Sequence, residues 1–365
     1  MKNNFTIEKR EYTMLLINLY CVKLLFTFPK KMVVNAGNAA WIQVIYISLI
    51  MLGLYYIIIT AYKGCGTKNL IEIAESVGGK TLKVITGIVV ITILFLNLAA
   101  IIRGYPDMVK MVLLPNTPIE FILLVFSVVV AIAAYLGLEA VVRIHFIFIP
   151  VIIAILSVFF VLLLPHIKIY NVFPIFGKGI KSIFGGGLLS LDFFNDILVL
   201  NLLLPYTKSL KEVRQAGRNA ILASGSIAFV IVAMYCLIYP FPASEKFIIP
   251  IYQIARLVGI GDFFQRFEAF FEFIWSFAVM LYSAVYLSVI CMVIEQSFDL
   301  KHYKPIIFPA TAIVTILSFT GRNISSVLFN YWYLTAGMLI VSFVIPVIFS
   351  SIYRKKFNKK AINET

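Results

Sequence analysis

The stretch Gly185-Gly186-Gly187-Leu188-Leu189-Ser190-Leu191-Asp192-Phe193-Phe194-Asn195-Asp196-Ile197-Leu198-Val199-Leu200 decides how the chain is read. It opens an apolar run, Leu188 to Tyr206, about as long as the roughly 20 helical residues that cross a hydrocarbon core. Yet the run follows three glycines and holds two carboxylates. A charge at the centre of a span costs about 2.5–3.5 kcal/mol on insertion scales, so charges kept there point to function. Asp192 and Asp196 stand four residues apart and share a helix face. Asp196 falls near mid-span. Asp192 is either solvated near the outer interface or turned inward.

The rest of the chain places this stretch in a membrane. Of 365 residues, 61% are hydrophobic and 13% charged, and the mean hydropathy is +0.98. A soluble domain has about 45–50% apolar and 25% charged residues, so a soluble enzyme is excluded, as is a disordered chain. Outer-membrane barrel strands alternate and read far more weakly. The reading is an all-α polytopic membrane protein with about ten transmembrane helices. The runs are 12–34, 41–62, 84–102, 121–138, 144–164, 188–206, 219–239, 271–294, 305–319 and 327–353. Loops are short, so the chain is one transmembrane domain. Two loops have apolar residues at helical spacing and predict interfacial helices: Leu70, Ile73, Ala74 and Val77 before Gly78-Gly79, and Ile251, Ile254, Leu257 and Val258 after Pro250.

An even number of spans puts both termini on one side. With the N-terminus inside, nineteen of the 31 basic residues are cytoplasmic, and Lys23 lies within a span. That excess follows the positive-inside rule. The net charge of +14 is then mostly an orientation signal, and nucleic acid is not an expected partner. The basic tail after Tyr353 suits an anionic lipid surface. No cleavable signal peptide is expected. Cys21, Cys65, Cys236 and Cys291 read as free small apolar residues, and His145, His166 and His302 lack metal-ligand spacing. No metal, cofactor or catalytic constellation is expected.

The intramembrane charges are Lys23, Asp192, Asp196 and Glu272. Lys23 precedes Pro29 by about 9 Å of helix; it either snorkels to the outer interface or is buried in an ion pair. An ammonium and a carboxylate 4 Å apart gain about 4 kcal/mol at an effective dielectric of 20, which makes Lys23–Asp196 a candidate pair. Glu272 either meets Arg266 at the membrane surface or serves as a protonatable group in a ligand path. Three acids face one base here, which leaves room for a neutral acid. Spans 1 and 6 hold the same place in two sets of five, and both are interrupted, one by Lys23 and Pro29, the other by the glycines and acids. Matching interruptions predict a five-plus-five inverted repeat, about 12–164 and 188–353, with broken helices 1 and 6 around a midplane site.

Several motifs in order carry a resemblance. They are Leu25-Phe26-Thr27-Phe28-Pro29; Arg103, Met108-Val109-Lys110, Leu113-Leu114 and Thr117-Pro118; Leu204-Pro205 before a basic loop; and Arg266-Phe267-Glu268 with Phe270 and Trp275. Over nearly its whole length the chain resembles the B subunits of bacterial spore germinant receptors, the spore-permease branch of the amino acid–polyamine–organocation superfamily. The resemblance implies residence in the spore inner membrane and partnership with an A subunit and a lipoprotein C subunit. It implies that the chain senses a small-molecule germinant, usually an amino acid. It also implies a pocket at Val22, Lys23, Leu24, Asn97, Asp196, Leu200 and Tyr282. Where family members often carry glycines, this chain has Val22-Lys23-Leu24; the Lys23 amine then either binds a ligand carboxylate or closes the pocket on Asp196. The alternative reading is a proton-coupled amino acid permease with Asp196 or Glu272 as proton carrier. An ion channel lacks a visible acid ring or filter motif, and an enzyme lacks a nucleophile–base set.

Overall fold

The structure, a computed structural model, describes residues 5–26, 28–188, 190–258, 267–319 and 336–363. These residues are nearly all helical. The helices are α1 (Lys9–Leu25), α2 (Phe28–Ala36), α3 (Ala40–Ala61), α4 (Leu70–Val112), α5 (Ile119–Leu136), α6 (Leu138–Leu163), α7 (Ile180–Leu188), α8 (Ile197–Leu202), α9 (Leu210–Ile238), α10 (Pro250–Ala255), α11 (Phe267–Ser297), α12 (Ile307–Ser318) and α13 (Ile345–Asn363). Eight helical stretches among the described residues are long and apolar enough to cross a bilayer. The more highly charged α1 and the 12-residue α12 take the remaining two of the ten places read from the sequence. The start of the tenth run, 327–335, lies outside the described residues.

Both loop segments expected to be helical at the membrane interface are helical, the second only over Pro250–Ala255, but their apolar residues Leu70, Ile73, Ala74, Ile251 and Ile254 are buried within the protein rather than left for lipid. Asn69 caps the first: its side chain accepts from Glu72 N–H, and Glu72 reaches back to Asn69 N–H, a reciprocal cap that satisfies two otherwise orphaned donors. At Gly79 the backbone turns to φ 70°, and the membrane part of α4 begins beyond it. Glycine takes that conformation without a Cβ penalty. The second is α10, opened by Pro250 at its first position.

Side-chain pairings fix the packing. Trp41 stacks edge-on against Phe229, and Tyr55 donates to the Val213 carbonyl at 2.7 Å, so α3 runs antiparallel to α9. A Cβ on Gly217 would land on the Tyr55 ring; the glycine lets the two helices close. Asn97 meets Tyr282 at 3.1 Å and Tyr105 meets Trp275, so α4 and α11 are antiparallel as well. Helix α6 joins the two groups through His145, whose ring accepts from Asn18 of α1 at 3.0 Å. Its other nitrogen lies 2.7 Å from the Val141 carbonyl, which fixes the proton there.

The basic residues assigned to one side by sequence do gather at one end of the bundle. Lys9 bonds Gln215, Lys68 bonds Tyr353, and Lys356 donates to the carbonyls of Ser76 and Val77 just before the Gly79 kink. Beside them Asp299 pairs with Lys83 and, at 3.2 Å, with Lys80. Hydrogen bonds from these two lysines hold the Asp299 carboxyl below its ordinary range. A depressed carboxyl stabilises the fold above its unfolded value, about 3.9, and that contribution disappears as pH falls through its folded value. Accordingly, unfolding of the detergent-solubilised protein between pH 5 and pH 2, both about these limits, should lose part of its acid sensitivity in Asp299→Asn. An identical pH profile in the variant would show that these pairs hold nothing.

Candidate functional site

Both interrupted spans are broken, at places the sequence located imperfectly. Span 1 stops at Phe26, whose backbone leaves the helical region (φ −83°, ψ −105°). It resumes at Phe28, so Pro29 is the second residue of α2, where its missing N–H costs nothing. Thr27 lies outside the described residues. In span 6 the glycines are not the break. Gly185, Gly186 and Gly187 are helical within α7, and the span starts near Ile180 rather than Leu188. Two of them allow close packing: a Cβ on Gly186 would sit 2.9 Å from Asn35 Cβ, and one on Gly187 2.8 Å from the Tyr46 ring. The break follows them. A tight turn, Leu191–Phe194, leads to Asp196 at the N-cap of α8.

The two breaks meet through charge. Lys23, in the last turn of α1, places Nζ 2.7 Å from Asp196 Oδ2, with side-chain exposures of 9% and 0%. Lys23 therefore does not snorkel. Its ammonium also donates to the Asp192 carbonyl at 3.0 Å and reaches the Phe193 carbonyl at 3.5 Å. The other Asp196 oxygen, Oδ1, accepts from Tyr282 at 3.0 Å and from Tyr286. Those two rings stack with centroids 4.6 Å apart, and Asn97 donates to the Tyr282 hydroxyl. Each charge lies at the helix end that favours it, the cation at a C-terminus and the anion at an N-terminus. A buried carboxylate held by an ammonium and two hydroxyls has its desolvation offset.

A second pair lies outward of the first. Lys31 of α2 meets the Asp192 carboxylate at 2.8 Å, with exposures of 30% and 11%. Asp192 is thus neither free in solvent nor a member of the inner pair; its carboxylate and its carbonyl serve two different lysines. The count of three acids to one base omits Lys31, which lies near the end of the first run, 12–34.

Of the residues expected in a pocket, Lys23, Asn97, Asp196 and Tyr282 converge. Leu200, on α8, instead meets Tyr12 near the start of α1, whose hydroxyl donates to its carbonyl at 2.6 Å. Val22 and Leu24 point elsewhere: they line an apolar crevice of about 40 Å³ with Cys21, Ile149 and Ile231, because neighbours of Lys23 on a helix are rotated off its face. Glu272 is buried on α11, ten residues before Tyr282, or about 15 Å along the helix. It does not join the cluster, and its Oε1 has no hydrogen-bond partner among the described residues. Its expected contact, Arg266, lies outside those residues. Tyr286 was missed, although its spacing of four from Tyr282 was readable.

Residues 6–327 match the family described as spore germination protein, the spore permeases. No curated protein sequence matches the chain. The fold is similar to that of Mhp1, a nucleobase-cation-symport-1 family transporter solved in a closed conformation with bromovinylhydantoin bound. The TM-score is 0.68 at 12% identity, over 93% of this chain and 78% of that one. At that identity the likeness is one of fold.

Proposed function

The chain belongs to the spore germination protein family, and from that premise we propose that it is the nutrient-sensing membrane subunit of a spore germinant receptor. It binds a small molecule, an amino acid or a similar nutrient, between the broken helices, and the binding triggers germination. The observation that carries this is the Lys23–Asp196 pair, which ties the end of α1 to the start of α8 with both charges buried. A ligand carboxylate that draws Lys23 away releases that tie. Conversion of ligand energy into motion requires such a differential contact between two states. The two halves, about 12–164 and 188–353, form the inverted pair around the site. The basic end faces the cytoplasm of the spore inner membrane, and the subunit works with an A subunit and a lipoprotein C subunit, as its family resemblance implies.

The test is germination of spores carrying Lys23→Met or Asp196→Asn over a series of nutrient concentrations. Both variants should shift or abolish the response. An unchanged dose response in both removes these residues from the site. Loss of amino acid uptake by growing cells, with normal germination, favours a proton-coupled permease instead.

A further inference from the structure

The oxygens around Lys23 are a recognition set in themselves. One carboxylate oxygen, Asp196 Oδ2, stands at 2.7 Å. Two main-chain carbonyls from the turn between α7 and α8 stand at 3.0 and 3.5 Å. An –NH3+ group offers three donors and no acceptor, and it meets three acceptors here. These acceptors belong to span 6, whereas the ammonium arrives from span 1 on a flexible four-carbon stem. Two more polar atoms nearby await a partner. Tyr20 Oη and Asn195 Oδ1 are buried, at 0% and 2% residue exposure, and have no hydrogen-bond partner among the described residues. Tyr20 precedes Lys23 by three residues, packs its ring on Phe194 at 5.2 Å and lies within electrostatic reach of Asp196. Buried polar atoms in native proteins are nearly always paired, so such orphans call for an explanation.

We infer that Asp196 Oδ2 and the carbonyls of Asp192 and Phe193 form a binding site for a primary ammonium, and that this chain keeps the site filled with its own Lys23 as a tethered occupant. The inference rests on the reading of the broken helices as the ligand pocket, and it adds a specificity rule. The acceptors for a cationic group are already taken. A free amine competes with a tethered one at high effective concentration, so the wild-type pocket ignores simple amines. Tyr20 and Asn195 remain for the uncharged polar groups of a ligand.

Chemical rescue tests this on the full-length protein purified in detergent. Lys23→Ala removes Cγ, Cδ, Cε and Nζ, the atoms that propylammonium supplies. The variant should unfold at a lower temperature than wild type, and propylammonium chloride should restore at least half of the loss. Wild type should not respond. Tetramethylammonium, which has no N–H to donate, should bind more weakly by about tenfold or more, the cost of losing charge-assisted hydrogen bonds. Sodium and potassium chloride at the same ionic strength should not rescue, and Lys23→Ala/Asp196→Asn should not respond to propylammonium. Should Lys23→Ala be recovered only when propylammonium is present during extraction, that requirement is the expected result. Equal rescue by tetramethylammonium or sodium overturns the proposal, as does no rescue, failure to recover the variant with any of these cations, or an equal response of wild type. Because the readout is unfolding, a failure here leaves the germination reading standing, and an unchanged germination response leaves the ammonium site standing.

Discussion

Asp196→Ala should destabilise the protein by about 3–5 kcal/mol, the usual cost of removing one partner from a buried ion pair. The ammonium of Lys23 would keep its two carbonyl contacts but lose its carboxylate partner, and the hydroxyls of Tyr282 and Tyr286 would lose their shared acceptor. Lys23→Met should cost a similar amount, for the opposite reason: an anion is left with two hydroxyls in an apolar interior. The double variant Lys23→Met/Asp196→Asn should recover most of the loss, because uncharged groups of similar volume often replace a buried pair at little cost. Unfolding in detergent, followed by the intrinsic fluorescence of the three tryptophans, of which Trp275 packs against Phe26 at the break, reads all three variants. Single substitutions costing under about 1 kcal/mol, the range of exposed pairs, would mean that water reaches both charges and that no lock exists.

The second large effect is expected away from the buried ion pair. Gly177→Ala should destabilise by about 3 kcal/mol or more, the combined cost of a left-handed conformation for a residue with a Cβ and of overpacking. Gly177 has φ +45°, and its Cβ would strike the Ala36 carbonyl and lie 2.9 Å from the Ala39 amide. Both are backbone atoms in the turn between α2 and α3, so no rotamer change relieves the clash. That turn is further held by Asn38, which donates to the Phe173 carbonyl at 2.6 Å, and by Lys178, which donates to the Val34 carbonyl at 2.7 Å. Thermal unfolding measures the loss. Gly179→Ala is the control, since its φ is also positive (+99°) but its Cβ meets open space. A smaller loss at 177 than at 179 would show that the segment shifts freely and does not brace α2.

The sequence reading succeeded where one physical rule acted alone. Long unbroken apolar runs become helices because, short of a closed barrel whose strands alternate, only a helix satisfies its own backbone in lipid, and the Asn69 cap with Gly79 marked the ends of a short helix without tertiary information. It failed where two rules compete. Three glycines in a row suggest unwinding, since glycine is a poor helix former; here they lie within α7, and Asn35 and Tyr46 stand where a side chain on Gly186 or Gly187 would go. Pro29 suggested the site of a break that falls just before it, because proline is tolerated in a first turn. The inner pair was legible, since a lone lysine and a mid-span aspartate each need a partner. The outer pair was not, because Lys31 is near enough to a helix end to pass for a solvated residue. Tyr286 hid among the aromatic residues of an apolar helix, where its spacing of four from Tyr282 was the one signal that separated a hydroxyl that binds from a ring that packs.

The glycine contacts described for α7 also divide the molecule mechanically. The Asn35 amide donates to the Gly186 carbonyl and the Gln43 amide to the Ile183 carbonyl, so side chains of α2 and α3 grip α7 by its own backbone. Past the turn, α8 rests on α4 and α11. The two halves of span 6 are thus bolted to different parts of the machine, and the short turn between them is the coupling. A tilt of α2 must carry α7 with it and twist residues 190–196, where Asp192 and Asp196 reside. A push on α7 would reach α8 as a rotation of the carboxylates themselves.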